Sequence, residues 1–311
     1  MSAVSVHLAW VGRRGRAAVG VRGSSSRVWN VTSRSDVLIT VDELADALGA
    51  GAQLLDVRWS LGEQPGTGFG RYLQGHLPGA RFLDLEAVLT GPTTEPTLGR
   101  HPLPDAVQLG AGLGAIGIDP ARPIVVYDDP GSFAAGRAWW VLRWAGLDAR
   151  VLDGGIRAWL ASGRELETDE PDVDGRPPLS LTTGHLPTLD ADEVARFDGL
   201  LIDVRAPERF RGEVEPIDPR AGHIPGAVNR PVTGFWDEAG RLPSAGQLAT
   251  LAGEPLADPA VPVAAYCGSG VSAAQGGLAL ASLGAEAALY PASWSGWSND
   301  TARPVATGPA S

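Results

Sequence analysis

The chain repeats itself at long range. Leu54-Leu55-Asp56-Val57-Arg58 returns as Leu201-Ile202-Asp203-Val204-Arg205. In both copies a histidine follows the aspartate by 20 residues, inside Gly75-His76-Leu77-Pro78-Gly79-Ala80 and Gly222-His223-Ile224-Pro225-Gly226-Ala227. Farther on, Ile124-Val125-Val126-Tyr127-Asp128 corresponds to Val261-Pro262-Val263-Ala264-Ala265-Tyr266-Cys267, and a small-residue loop and a helical pattern follow each. A period this long does not suit a solenoid, so the repeat predicts two tandem domains of like build. Asp128 stands in the first copy where Cys267 stands in the second.

Within each copy short β-type runs alternate with helical segments, which predicts an α/β fold: a mostly parallel sheet flanked by helices. The first copy reads as a helix near Val41–Leu48, strands at Gln53–Val57 and Ile124–Tyr127, a helix near Ala134–Ala145 and a strand at Arg150–Leu152. The second reads as a helix at Ala191–Phe197, strands at Leu200–Val204 and Val263–Tyr266, and a helix near Ala273–Leu283. Glu167–Pro187 is rich in Pro, Gly, Asp and Thr, a linker composition. The expected division is therefore an extension over 1–35, domains over 36–166 and 188–304 with the linker between them, and a tail over 305–311.

Composition narrows the function. All 25 basic residues are arginine, and six of them precede the first acid, Asp36, so the body sets 36 acids against the rest. Such a surface repels phosphate backbones and argues against nucleic acid as partner. A single cysteine among 311 residues forms no intrachain disulfide and is too few for a structural zinc site of the multi-cysteine kind. No stretch reaches the roughly 18 to 20 apolar residues of a membrane span. A monomer working in the cytoplasm without metal or cofactor is expected. Residues 1–35, arginine- and serine-rich, read either as a disordered or wrongly started extension or as a targeting segment.

Cys267 directly follows an apolar strand and opens Cys267-Gly268-Ser269-Gly270-Val271-Ser272-Ala273 before a helix-forming run. That is the carboxyl end of a strand, where open α/β sheets place their sites. Glycines and small neighbours let the backbone turn its N–H groups toward the sulfur, and the helix start adds its positive end. Both favour the thiolate, the nucleophilic form. A buried structural cysteine is the plainer alternative, but it has no need of such a loop.

These motifs together resemble the two-domain rhodanese sulfurtransferases over about Ser35 to Pro304, with Tyr72–Ala80 and the terminal Ser293-Trp294-Ser295-Gly296-Trp297 as further signatures. Gly296 departs from the pattern, because an acidic residue is common there. In that family only the carboxy-terminal copy keeps the cysteine, as here. The resemblance implies that Cys267 carries sulfur as a persulfide from a donor to a thiol acceptor such as thioredoxin, or to cyanide. The thiosulfate-using branch has basic side chains just after the cysteine, whereas the mercaptopyruvate-using branch has Cys-Gly-Ser-Gly-Val-Thr. Gly268, Ser269, Gly270, Val271 and Ser272 form the neutral version, which favours 3-mercaptopyruvate with thiosulfate second.

A carboxylate donor needs a planar cation. Arg209 matches the family's substrate arginine, and Arg220 is the nearest candidate for a second. The alternative is that these arginines pair with Glu213, Glu215 or Asp218. Breaking the donor's carbon–sulfur bond leaves an enolate that must collect a proton, for which Ser269 is placed. The resemblance implies a relay from that serine to His76, although the matching His223 suggests that both histidines brace their turns. Two other classes compete. A cysteine phosphatase needs an arginine six positions after the nucleophile, but position 273 is alanine; a non-turnover persulfide carrier or interaction module stays open.

Overall fold

The computed structural model describes residues 33–172, 174–253 and 261–309. Most of the 1–35 extension and the end of the tail lie outside them. The two α/β halves are present, and every strand pairing within them is parallel. The first sheet holds β1 (Leu38–Ile39), β2 (Gln53–Asp56), β3 (Arg81–Phe82), β4 (Ile124–Tyr127) and β5 (Ala149–Leu152) in the order β1-β5-β4-β2-β3. The second holds β6 (Leu200–Asp203), β7 (Val228–Asn229), β8 (Val263–Tyr266) and β9 (Ala287–Leu289) in the order β7-β6-β8-β9. β2, β4 and β8 are buried throughout, as strands covered by helices on both faces must be.

Around the first sheet lie α1 (Val41–Gly49), α2 (Thr67–Gln74), α3 (Leu85–Val88), α4 (Ala106–Ala115), α5 (Ala134–Trp144) and α6 (Gly155–Ala161). The second carries α7 (Ala191–Ala195), α8 (Pro207–Phe210), α9 (Ala245–Ala252), α10 (Val271–Ala281) and α11 (Ser293–Asn299). α1 starts on a capping box, with Glu43 N–H donating to Thr40 Oγ1 and Thr40 N–H to Glu43. α10 begins two residues before the expected Ala273, because Gly270, at φ 84°, turns the strand exit straight into the helix.

The repeated motifs are two ends of one hydrogen-bond network. Asp56 accepts the backbone N–H and Nε of Arg58, and the Tyr127 hydroxyl donates to it at 2.7 Å. Arg58 then reaches Gly75 O at 2.7 Å, and Leu77 N–H donates to the Tyr127 hydroxyl at 3.0 Å. The second half repeats this: Arg205 binds Asp203 and Gly222 O, while Ile224 N–H donates to Tyr266. Asp-Val-Arg thus ties a strand end to the following Gly-His turn, which is why the two motifs recur at fixed spacing.

The expected linker lies along the first domain instead of hanging free. Arg176 and Leu179 donate backbone hydrogen bonds to Gly114 O and Gly110 O at 2.7 and 2.9 Å, and His185 N–H donates to Trp144 O at 3.1 Å. A Cβ at Gly110 would come within 2.2 Å of Leu179 O, so the helix is glycine there to let the backbone in. The halves share a core in which Trp139, Trp140 and Leu142 of α5 join Val271, Ala274 and Leu278 of α10. Each such fully buried large apolar side chain stabilises the fold by about 1.5–3 kcal/mol. The two helices approach closely at Gly136, where a Cβ would meet Gln275.

Candidate active site

Cys267 sits at the carboxyl end of β8 with 1% of its surface exposed. Two amides point at its sulfur: Gly270 N–H donates to Sγ with N···S 3.1 Å and Ser269 N–H with 3.4 Å. The loop is braced from the far side by the start of α11. Ser293 Oγ accepts the Cys267 N–H, Trp294 N–H donates to Cys267 O, and Ser295 N–H donates to Gly268 O. The terminal Ser-Trp-Ser signature therefore holds the loop in shape, and the ring of amides stabilises negative charge on sulfur.

A cavity of about 350 Å3 opens over this loop, between the halves. Of the residues expected from sequence, Cys267, Gly268, Ser269, Val271, Ser272 and Arg209 line it, and Gly270 supplies the amide behind the sulfur. Among the described residues the Ser269 hydroxyl has no hydrogen-bond partner. Arg209 both lines the cavity and forms the acid pairs weighed above, to Glu215 at 2.7 Å and Asp218 at 3.1 Å.

Two expectations do not fit this geometry. Arg220 is outside the cavity lining: its guanidinium donates to the carbonyls of Trp297, Ser298, Asp300 and Arg303. It clasps the carboxyl end of α11, where unpaired carbonyls attract a cation, and has no donor edge to offer a substrate. His76 is fully buried beneath its own turn, with Nδ1 2.8 Å from Tyr72 O and its ring stacked on Tyr72 at 3.8 Å. Its Nε2 lies 3.6 Å from Glu167. His223 repeats the arrangement, with Nδ1 at Phe210 O and its ring on Phe210. Both histidines brace turns, and His76 makes no relay to Ser269.

The first half contributes groups that the sequence did not announce. Trp59, Leu61, Phe133 and Arg100 line the cavity from the first half. Arg100 is ion-paired with Asp218 of the second half. Burial raises the Asp218 carboxyl above its usual range, and the Arg100 cation opposes that rise. Arg137 of α5 is fully buried, and its Nη1 lies 3.4 Å from the position of a Cβ on Gly270. Its Nη2 donates to Leu89 O, His101 O and Pro102 O. Burial lowers it to about 10, with the Cys267 charge acting the other way, so it remains a cation behind the loop at neutral pH.

Only the departure at Gly296 hinted at this wall. A Cβ there would meet Thr97 O and Ala292 Cβ at 2.6 Å, and one at Gly99 would meet Ala292 O at 2.4 Å. The first half's turn at 96–99 packs directly on α11, leaving no space for an acidic side chain at 296. The contact seats Arg100, whose N–H donates to Ser295 Oγ at 3.1 Å.

The first half keeps a counterpart of the site without its cysteine. Asp128, in the cysteine's place, accepts the Ala135 N–H at 2.9 Å beside a cavity of about 240 Å3. Among the described residues no group of three His, Cys, Asp or Glu side chains could hold a metal, and no helix is long and apolar enough to cross a membrane.

Comparison with known proteins agrees with the two-domain α/β fold. The model of the family described as "Rhodanese-like domain" matches twice, over residues 40–162 and 188–300. A Mycobacterium tuberculosis protein named "Putative thiosulfate sulfurtransferase SseB" is 45% identical, covering 89% of this chain and 99% of that one. A Pseudomonas aeruginosa protein named "Probable 3-mercaptopyruvate sulfurtransferase" is 44% identical, covering 87% and 98%. The crystal structure of a 3-mercaptopyruvate sulfurtransferase from Escherichia coli superposes with a TM-score of 0.72 at 30% identity, covering 83% of this chain and 98% of that one.

Proposed function

Because the chain belongs to the rhodanese family and is a two-domain sulfurtransferase, we propose that it moves sulfur from 3-mercaptopyruvate to a thiol or cyanide through a persulfide on Cys267. The observation that carries this reading is a cysteine sulfur ringed by two amide N–H groups at the floor of a cavity between the halves.

The Cys267 thiolate attacks the donor's sulfur, the carbon–sulfur bond breaks, and its electron pair leaves as the enolate of pyruvate. The enolate takes a proton, which the unpartnered Ser269 hydroxyl, two residues beyond Cys267, passes on. The amides that held the thiolate then hold the persulfide anion. An acceptor thiolate attacks the outer sulfur and restores Cys267, so the cycle closes without a metal or cofactor. Arg209 holds the donor carboxylate, and the absence of any basic side chain from Gly268 to Ser272 supports mercaptopyruvate over thiosulfate.

Thiosulfate is the second reading. It is favoured by Arg100 and Arg209 on the cavity wall, whose guanidinium N–H groups beside Gly268 offer anion donors that the loop itself lacks. Steady-state kinetics with both donors tests the proposal. Sustained pyruvate release with a thiol acceptor and a larger kcat/KM for mercaptopyruvate are expected, and Cys267→Ser should abolish transfer while leaving the circular dichroism unchanged. A larger kcat/KM for thiosulfate would reverse the donor assignment. A single stoichiometric release of pyruvate would make the protein a sulfur carrier.

A further inference from the structure

Two guanidinium edges reach the floor of the cavity from opposite halves, and both end without a partner among the described residues. Arg209 donates to Glu215 through Nε and to Glu215 and Asp218 through Nη2. That leaves its Nη1 beside Gly268, 3.5 Å from the point a Cβ would occupy. Arg100 donates to Asp218 through Nη1, which leaves its Nη2 3.1 Å from the same point. Asp218, with 1% of its side chain exposed, thus lies between two cations and offsets their repulsion. The N–H groups turned away from it converge over the residue that follows Cys267.

A pair of N–H donors approaching one spot from two sides suits a group with two anionic oxygens, as on a carboxylate or the oxygen end of thiosulfate. The four side chains Arg100, Arg209, Glu215 and Asp218 sum to no net charge, so the spot selects by hydrogen-bond direction as well as by field. Gly268 keeps it empty, since any side chain would occupy it.

We propose that Arg100 is a donor-binding residue: with Arg209 it forms a fork, one prong from each half, that grips the anionic end of the sulfur donor over Gly268 and turns its sulfur toward Cys267. This deepens the reading of Cys267 as the sulfur acceptor and rests on it. It also gives the cysteine-free half a direct part in substrate recognition. The turn carrying Arg100 reaches the site because Gly99 and Gly296 let it seat against α11.

The test uses the full chain and two probes of Cys267 that differ in charge, iodoacetate and iodoacetamide. In Arg100→Gln the ratio of their alkylation rates should fall about fivefold, since one positive charge near the sulfur is gone for the anionic probe alone. KM for the anionic donor should rise about tenfold with kcat within about twofold, as for a lost charge-assisted contact made equally in ground and transition states. An unchanged alkylation ratio in folded Arg100→Gln would overturn the proposal. If that variant fails to fold, Arg100→Lys decides: it keeps charge but cannot serve Asp218 and the donor together, so its KM should rise severalfold, and a wild-type KM overturns the fork. A lowered ratio in a protein that turns over neither mercaptopyruvate nor thiosulfate would leave the fork standing and sink the donor assignment instead.

Discussion

Position 128 is where the two halves part in chemistry. A carboxyl has replaced the thiol in an otherwise similar strand-to-helix turn, and burial pushes Asp128 up to about 7, with the amides of Ala135 and Ala134 acting against that rise. Its ordinary value is 3.8, so the folded protein holds this proton more tightly than the unfolded chain does. The contribution to stability is therefore full below about pH 4, declines as pH rises, and is lost above about pH 7. Asparagine cannot ionise and keeps an oxygen for the Ala135 N–H. Asp128→Asn should melt like the parent at pH 4 and at a higher temperature at pH 8, by circular dichroism; a lower melting temperature at pH 8 would contradict the argument. The same scale separates arginines that look alike in sequence. Arg209 and Arg220 lie 11 residues apart, yet one faces the cavity and the other ties off α11.

At the scale of elements, the unit that matters is β8, the active loop and α10, braced by α11 behind and packed on α5 beside. Gly136 sets the last contact. A Cβ there would stand 2.0 Å from Gln275 Oε1 and 2.6 Å from its Cα, so the flexible amide can yield but the backbone cannot. Gly136→Ala would improve helix propensity by up to about 1 kcal/mol in an isolated helix. Overpacking at the crossing should outweigh that and destabilise by about 1–3 kcal/mol. Urea unfolding measures it, and a stabilised variant would show that the helices do not meet as closely as described. The helix starts were largely legible: Val41, Ala134 and Ala191 begin where the pattern placed them. The short elements were not. β3, β7 and α8 span two, two and four residues, too few to display a period, and they form because longer neighbours hold their ends.

For the molecule as a whole, the shared core has a thermodynamic consequence. Apolar side chains from both halves pack into one cluster, and the linker is hydrogen-bonded along the first half. Calorimetry should therefore record one cooperative transition with matching calorimetric and van't Hoff enthalpies; two resolved transitions would mean that the interface contributes little. The same packing explains how the half without a cysteine takes part in the cavity. It supplies Arg100, Trp59 and Phe133 to the cavity wall and the buried Arg137 to the back of the loop.

The sequence by itself determined the duplication, the parallel α/β halves, and the placing of Cys267 in a turn of glycines at the end of a strand. These follow from local rules: strand and helix periodicity, the need for glycine where the backbone bends at positive φ, and motifs whose partners lie within one repeat. Only the tertiary structure decided which side chains face the sulfur from outside its own half. It turned Arg220 and His76 inward to carbonyls, and brought Arg100 to Asp218, 118 residues away in the chain. Such contacts depend on how two surfaces meet, and no local spacing encodes a meeting between surfaces that far apart along the backbone.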